Sequence, residues 1–213
     1  FSIVDTEKLY TIATERVAAL YGKTYPWELK LSQMGHRLEE CAKIIIEGLN
    51  LPLTVKDYLQ KTEYHQIQLF PNSQLMPGAE KLVRHLHSKK IPIAIASGGA
   101  KDNFELKTTN HKELFSLFNH SVLASSDPDV KAGPSPDVFL VCAQRFPDKP
   151  DPKKCLVFED APNGVSAAVA AHMQVVMVPD SRLDRNLTKG ACLVLESLEG
   201  FKPELFGLPA YDS

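Results

Sequence analysis

Between Lys154 and Gly164 the chain reads Lys-Cys-Leu-Val-Phe-Glu-Asp-Ala-Pro-Asn-Gly, the stretch around which the rest is organised. Cys155 to Phe158 is short and apolar or neutral, the pattern of a strand buried on both faces. Two carboxylates, Glu159 and Asp160, follow at once. Pro162-Asn163-Gly164 is turn chemistry. Val165 to Ala171 is rich in alanine and predicts a helix. The order is strand, acidic tip, turn, helix. In an open parallel sheet, ligands bind beyond the carboxyl ends of the strands, where both acids would sit. Adjacent carboxylates repel, so a hard cation such as Mg²⁺ is one natural partner. Capping the helix that follows is the other use open to them.

The rest of the chain extends this pattern. From Pro77 onward, helical stretches alternate with short apolar strands: Ile91–Ala96, Ser121–Ala124, Cys155–Glu159, Gln174–Val178 and a start near Leu193. Such alternation argues an α/β fold with a parallel sheet and helices on both faces. Phe104 to Phe118 reads as a helix broken around Asn110, and the tail as Pro-rich and loosely structured. The first third reads differently. Helical spacing covers Leu9 to Leu20, stopped by Gly22. Pro26 and Trp27 fall in a connection. A second helix covers Arg37 to Gly48, and Thr54-Val55-Lys56-Asp57 opens a third as a capping box with Asp in place of Glu. No strand is expected before residue 70.

Composition mainly excludes. A formal net charge of −2 gives no footing for nucleic acid or an acidic membrane surface. No apolar run reaches membrane-spanning length. The four cysteines, Cys41, Cys142, Cys155 and Cys192, form no CxxC pair, so a reduced, cytoplasmic protein is the expectation.

Three strand ends carry polar groups. Ile91–Ala96 runs into Ser97-Gly98-Gly99, a hydroxyl followed by approachable backbone N–H groups, suited to phosphate oxygens. The organising strand ends in Glu159-Asp160. Ser121–Ala124 leads through Ser125-Ser126-Asp127 to Lys131, an ammonium able to neutralise transferred charge.

These residues together resemble a known family. Val4-Asp5-Thr6-Glu7, Met34-Gly35, Leu75 to Glu80, Cys155 to Val165, Gln174 to Asp180 and Glu204 to Pro209 are similar to the haloacid dehalogenase (HAD) superfamily of phosphohydrolases, in its pseudouridine-5′-phosphatase-like branch. The likeness runs over nearly the whole chain. It implies a Rossmann-like HAD core with a parallel sheet, formed by residues 1–14 and 75–213, and an inserted α-helical cap over 15–74. It also implies a Mg²⁺-dependent phosphate-ester hydrolase working through an aspartyl-phosphate. An Asp on the first strand attacks phosphorus, and a second Asp two residues on protonates the leaving oxygen and then activates water. Ser97 matches the phosphate-holding residue, with Gly98 beside it. Glu159 and Asp160 match the Mg²⁺ acids, Asp160 as the direct ligand. Gly35, His36 and Arg37 match cap positions that face the substrate.

The sequence departs from the family in three places. The Asp-x-Asp-Gly segment aligns so that Phe1 falls on its glycine, which puts both aspartates ahead of Phe1. Gly133 stands where the family has its lysine, in Gly133-Pro134-Ser135-Pro136-Asp137, leaving Lys131 as a displaced charge stabiliser. His172 stands where the family has a glycine closing the helix, a left-handed position that suits His poorly. The first two departures lead to the expectation of a non-catalytic relative, kept to bind a small phosphorylated metabolite or a protein partner, with Mg²⁺ weakly held or lost. The alternative is an active Mg²⁺-dependent phosphomonoesterase on a small sugar or nucleoside phosphate, its first strand lying outside this sequence. The family's first strand runs between Ile91–Ala96 and Cys155–Glu159, so those two strands are expected not to pair with each other.

Overall fold

The computed structural model describes residues 3–33, 36, 38–131 and 135–213. The chain divides into two compact units, one of Phe1–Val4 with Gln74–Ser213 and one of Asp5–Ser73.

The second unit is helical: α1 (Glu7–Ala19), α2 (Trp27–Gln33), α3 (Leu38–Gly48) and α4 (Val55–Leu69). The Thr54 hydroxyl accepts from the Asp57 N–H at 3.1 Å, so the capping box forms as its sequence implies. Gly22 ends the first helical run with φ +69°, where a side chain would be strained. Trp27 belongs to a helix, not to a connection. Pro26 accepts from the N–H groups of Leu29 and Lys30 and so starts α2. Val17, Ala42, Ile45, Leu51 and Tyr58 make the apolar core of this unit.

The first unit holds the sheets. After α5 (Ala79–Ser88) come β1 (Ala94–Ser97), α6 (Lys101–Lys107), α7 (Lys112–Phe115), β2 (His120–Leu123), α8 (Asp137–Gln144), β3 (Leu156–Glu159), α9 (Pro162–Ala170), β4 (Gln174–Met177) and β5 (Leu193–Val194). All strand pairs are parallel, as the α/β pattern requires. β1 starts three residues later than the apolar run does. Pro92 has no N–H to give, and Ile93 N–H is taken by the Asn119 side chain at 3.1 Å. Val175, Val176 and Met177 of β4 are completely buried, which is why their run shows no alternation. At the end of α9, His172 does adopt the left-handed conformation, with φ +61°. Met173 N–H reaches Ala168 O and His172 N–H reaches Val169 O, both at 3.0 Å, a Schellman closure. The tail is ordered more closely than its prolines suggest. Phe201 is 2% exposed, its ring stands edge-on to Phe158, and Lys89 pairs with Asp212 at 2.9 Å.

The strands form two sheets: β1–β2, and β3–β4–β5. β1 and β3 do not pair with each other, as expected. In β1, Ile93 O and Ser97 O accept from residues 119 and 124, so the alternate peptide groups of Ala94 and Ala96 turn away from β2. In β3, Cys155 O and Glu159 O accept from residues 174 and 178, so Leu156 and Phe158 turn away from β4. Among the described residues nothing bonds the outward groups of these four. Both open edges line one cavity of about 660 Å³, closed further by Ile3, Leu82, Val83, Phe139 and Leu208. Ile3 reaches its wall because Val4 bridges Leu75 and Met76 N–H donates to Ile3 O at 2.7 Å.

Candidate active site

β3 delivers Glu159 and Asp160 to its carboxyl end, and the two side chains have different surroundings. Glu159 folds back over the start of α9. Its Oε2 accepts from Asp160 N–H at 3.1 Å and from Ala161 N–H at 3.4 Å. Ala161 is the N-cap residue of α9 and has no capping side chain of its own, so Glu159 serves the N-cap amide. The carboxylate lies where a Cβ on residue 164 would be, so only glycine fits there while Glu159 keeps this pose. Burial holds the Glu159 carboxyl above the ordinary carboxylate range, and the charge of Asp160 pushes the same way. Of the two uses open to the acid pair, Glu159 performs the capping one. Asp160, half-buried, stands at the tip itself.

β1 delivers Ser97. Its Oγ accepts from Gly99 N–H at 3.2 Å, which curls the glycine turn round the hydroxyl. Gly98 O accepts from the Ser125 hydroxyl at 2.7 Å, and Lys101 N–H, at the start of α6, donates to Ser126 Oγ at 2.9 Å. The turn after β1 is therefore laced to the turn after β2, while Ala124 N–H donates to Ser97 O at 2.8 Å. Asp127 anchors the second turn. Arg145 grips it bidentately, with 2.6 and 3.0 Å contacts, and reaches Asp129 at 2.9 Å. Lys131 follows, exposed, its backbone N–H donating to Asp137 Oδ2 at 3.3 Å. Ser97, Gly98, Ser125 and Ser126 are thus brought together by direct bonds, with Lys131 farther along the same loop.

The profile of the haloacid dehalogenase-like hydrolases matches residues 5–172. The chain belongs to that family. Among its relatives, a probable pseudouridine-5′-phosphatase of Drosophila melanogaster is 53% identical over 98% of this chain and 91% of its own length. The (DL)-glycerol-3-phosphatase 1, mitochondrial, of Arabidopsis thaliana is 50% identical over 98% of this chain and 71% of its own. The solved structure of a putative beta-phosphoglucomutase from Thermotoga maritima superposes with a TM-score of 0.73 at 26% identity, covering 91% of this chain and 89% of that one.

This HAD chain places its expected site residues unevenly. Ser97, Gly98, Glu159 and Asp160 stand at carboxyl ends of parallel strands. His36 is about half exposed, with Nδ1 3.3 Å from Glu40 Oε2. Gly35 and Arg37 lie outside the described residues, and so does Gly133. Members of this family generally use Mg²⁺. Among the described residues no group of three His, Cys, Asp or Glu side chains comes together to hold a metal. Mg²⁺ does not need one. It keeps several waters and takes one or two carboxylates with substrate phosphate. The donor chemistry is compatible with that pattern: Asp160 and Glu159 put two carboxylates at one strand end, and Glu159 is already bonded to two amides. No helix among the described residues is long and apolar enough to cross a membrane.

Sequence reasoning left three working residues unassigned. Ser125 and Ser126 directly follow a strand, a position that signals a tie between neighbouring turns. In sequence Gly164 reads as turn chemistry alone, and nothing there says that a carboxylate lies against it.

Proposed function

We propose that this chain is a Mg²⁺-dependent phosphomonoesterase acting on a small hydroxylated phosphate ester, of the pseudouridine 5′-phosphate or glycerol 3-phosphate type. One observation carries the reading: about half of all residues are shared, over nearly the whole chain, with relatives named as phosphatases. The leaving alcohols in those names differ, whereas the phosphate ester is common to both. In this reading Ser97 and the N–H groups of the Gly98-Gly99 turn hold the phosphate, and Lys131 offsets charge from the far side of the loop. Asp160 would hold Mg²⁺, which when bound supplies positive charge against the phosphoryl oxygens. The slot between β1 and β3 takes the strand that bears the nucleophilic Asp.

The non-catalytic reading has less support. It rests on aspartates aligned ahead of Phe1, and the first residue of a sequence decides nothing about what precedes it. It also rests on Gly133, which lies outside the described residues. Phosphate release by the full-length natural polypeptide tests the choice, with both esters and a generic aryl phosphate. Turnover of at least one, abolished by a metal chelator, is expected. Absence of turnover on all three, with Mg²⁺ present, would restore the non-catalytic binder.

A further inference from the structure

The helical unit has a feature that core packing does not explain. Its four helices enclose a cavity of about 150 Å³, roughly the share of five liquid waters at about 30 Å³ each. The interior of a helix bundle is normally apolar, and ligand sites in bundles are built where it is not. Here α1 contributes Glu7, Thr11 and Thr14 to the wall, one turn apart along a single face. Lys30 enters from α2. Its side chain is only 7% exposed, Nζ donates to Thr11 Oγ1 at 2.7 Å and lies 3.3 Å from Glu7 Oε1. An ammonium has three donors. Thr11 and Glu7 take two, the Trp27 ring centroid lies 5.7 Å from Nζ, and among the described residues no oxygen acceptor takes the third.

The remaining wall alternates donors and acceptors. Tyr25 OH accepts from Gln33 Nε2 at 3.3 Å and keeps its own proton to give. Thr14 and Tyr58 share a 3.4 Å hydroxyl contact. Burial pushes the Tyr25 and Tyr58 phenols upward and Tyr10 up to about 12, so all three stay protonated at neutral pH. Lys30 and Glu7 cancel in charge. A phosphate or carboxylate entering would meet Glu7 with nothing in excess to balance it. A hydroxyl both donates and accepts and so suits every part of this wall, while Leu38, Ala42 and Ile45 offer surface to carbon.

We infer that this cavity binds a small neutral polyol, glycerol- to pentose-sized, and that Lys30 is the residue that selects it. The inference draws on the phosphatase reading only to identify the polyol with the class of the leaving alcohol. The site's chemistry stands without it.

Isotope-edited NMR of the full chain, with glycerol and D-ribose as probes and inorganic phosphate as control, tests this directly. Saturable shifts at Thr14, Tyr25 and Tyr58 are expected, with a dissociation constant of about millimolar order. Lys30→Met should weaken binding by about tenfold or more, the effect of one lost charge-assisted hydrogen bond. Should Lys30→Met fail to fold, Tyr25→Phe keeps the packing, removes one hydroxyl and should weaken binding severalfold. Shifts that are absent, that do not saturate, that are equal in parent and variant, or that phosphate alone reproduces would overturn the site. Saturable polyol binding without turnover of any ester would overturn the phosphatase reading and leave the site standing. Turnover without polyol shifts would do the reverse.

Discussion

Gly164→Ala should destabilise the first unit, and Glu159→Ala should reverse the sign of that effect. The backbone at Gly164 has no positive φ to protect, so alanine is conformationally acceptable there. Inside a helix the change from Gly to Ala is worth about 0.5–1 kcal/mol of stabilisation. The cost comes from contact. An added Cβ overlaps the Glu159 carboxylate, which is the far end of a flexible side chain and could ordinarily swing aside. Here it is half-buried and bonded to the N–H groups of Asp160 and Ala161. Displacing it forfeits hydrogen bonds to a charged group at about 1.5–3 kcal/mol each, the longer of them counting least. After the helix gain is subtracted, a loss of about 2–4 kcal/mol remains, a large share of the roughly 5–15 kcal/mol that holds a domain. With Glu159 already truncated to Ala, the space is free and only the helix gain survives. The expected coupling is about 3 kcal/mol, at the upper end for residues in contact. Urea denaturation of parent, both single variants and the double variant measures it. Hydrogen exchange at the Asp160 and Ala161 amides gives a local readout, faster in Gly164→Ala than in the parent. A Gly164→Ala loss below about 0.5 kcal/mol, or the same loss in both backgrounds, would refute the account of Glu159 as an internal cap.

Four further outcomes are expected. His172→Gly should raise stability by up to about 1 kcal/mol, because it relieves a left-handed residue while keeping the Schellman bonds; thermal unfolding of the two proteins decides it. Phe201→Ala should cost about 3–5 kcal/mol, as for other large buried aromatics; a loss under 1 kcal/mol would mean the tail is not part of the core. The Arg145 guanidinium holds the Asp127 carboxyl below its usual 3.8. That stabilisation is therefore complete above about pH 4 and disappears as pH falls through the lower folded value. The melting temperature of the parent should fall faster than that of Asp127→Asn below pH 4, and parallel curves would contradict it. Asp160→Asn should weaken the response to Mg²⁺ in a titration followed by thermal shift, and identical curves would remove Asp160 from the metal site.

The parts of the fold readable in the sequence are those whose cause is local. Thr54 and Asp57 state a cap by themselves, and Leu156 to Phe158 state a strand, although only Val157 among them is buried. The start of α2 is open to the same reading, since Pro26 is a helix-initiating residue, yet in sequence Pro26 and Trp27 read as a connection. The tail was not readable because the partner of Phe201 is Phe158, a contact no local pattern contains. The site divides in the same way. Ser97 and Asp160 announce themselves by following apolar runs. Which carboxylate of Glu159-Asp160 turns inward depends on the amides beneath it. The polar wall around Lys30 draws on all four helices, with spacings that carry no periodic signal.

The clasp between Val4 and Leu75 has an architectural consequence. Chain leaves the sheet-bearing unit at Val4 and returns beside the same point, so the helical segment hangs from two neighbouring residues. Loop closure costs grow only with the logarithm of length, so exchanging that segment for a much shorter or longer one changes the cost by about 1–2 kcal/mol. The sheets meanwhile keep their strand register, which is fixed elsewhere. Such a clasp works as a socket: helical inserts of different size can be plugged into one sheet scaffold, and a graft that preserves Ile3, Val4, Leu75 and Met76 should leave β1 to β5 undisturbed.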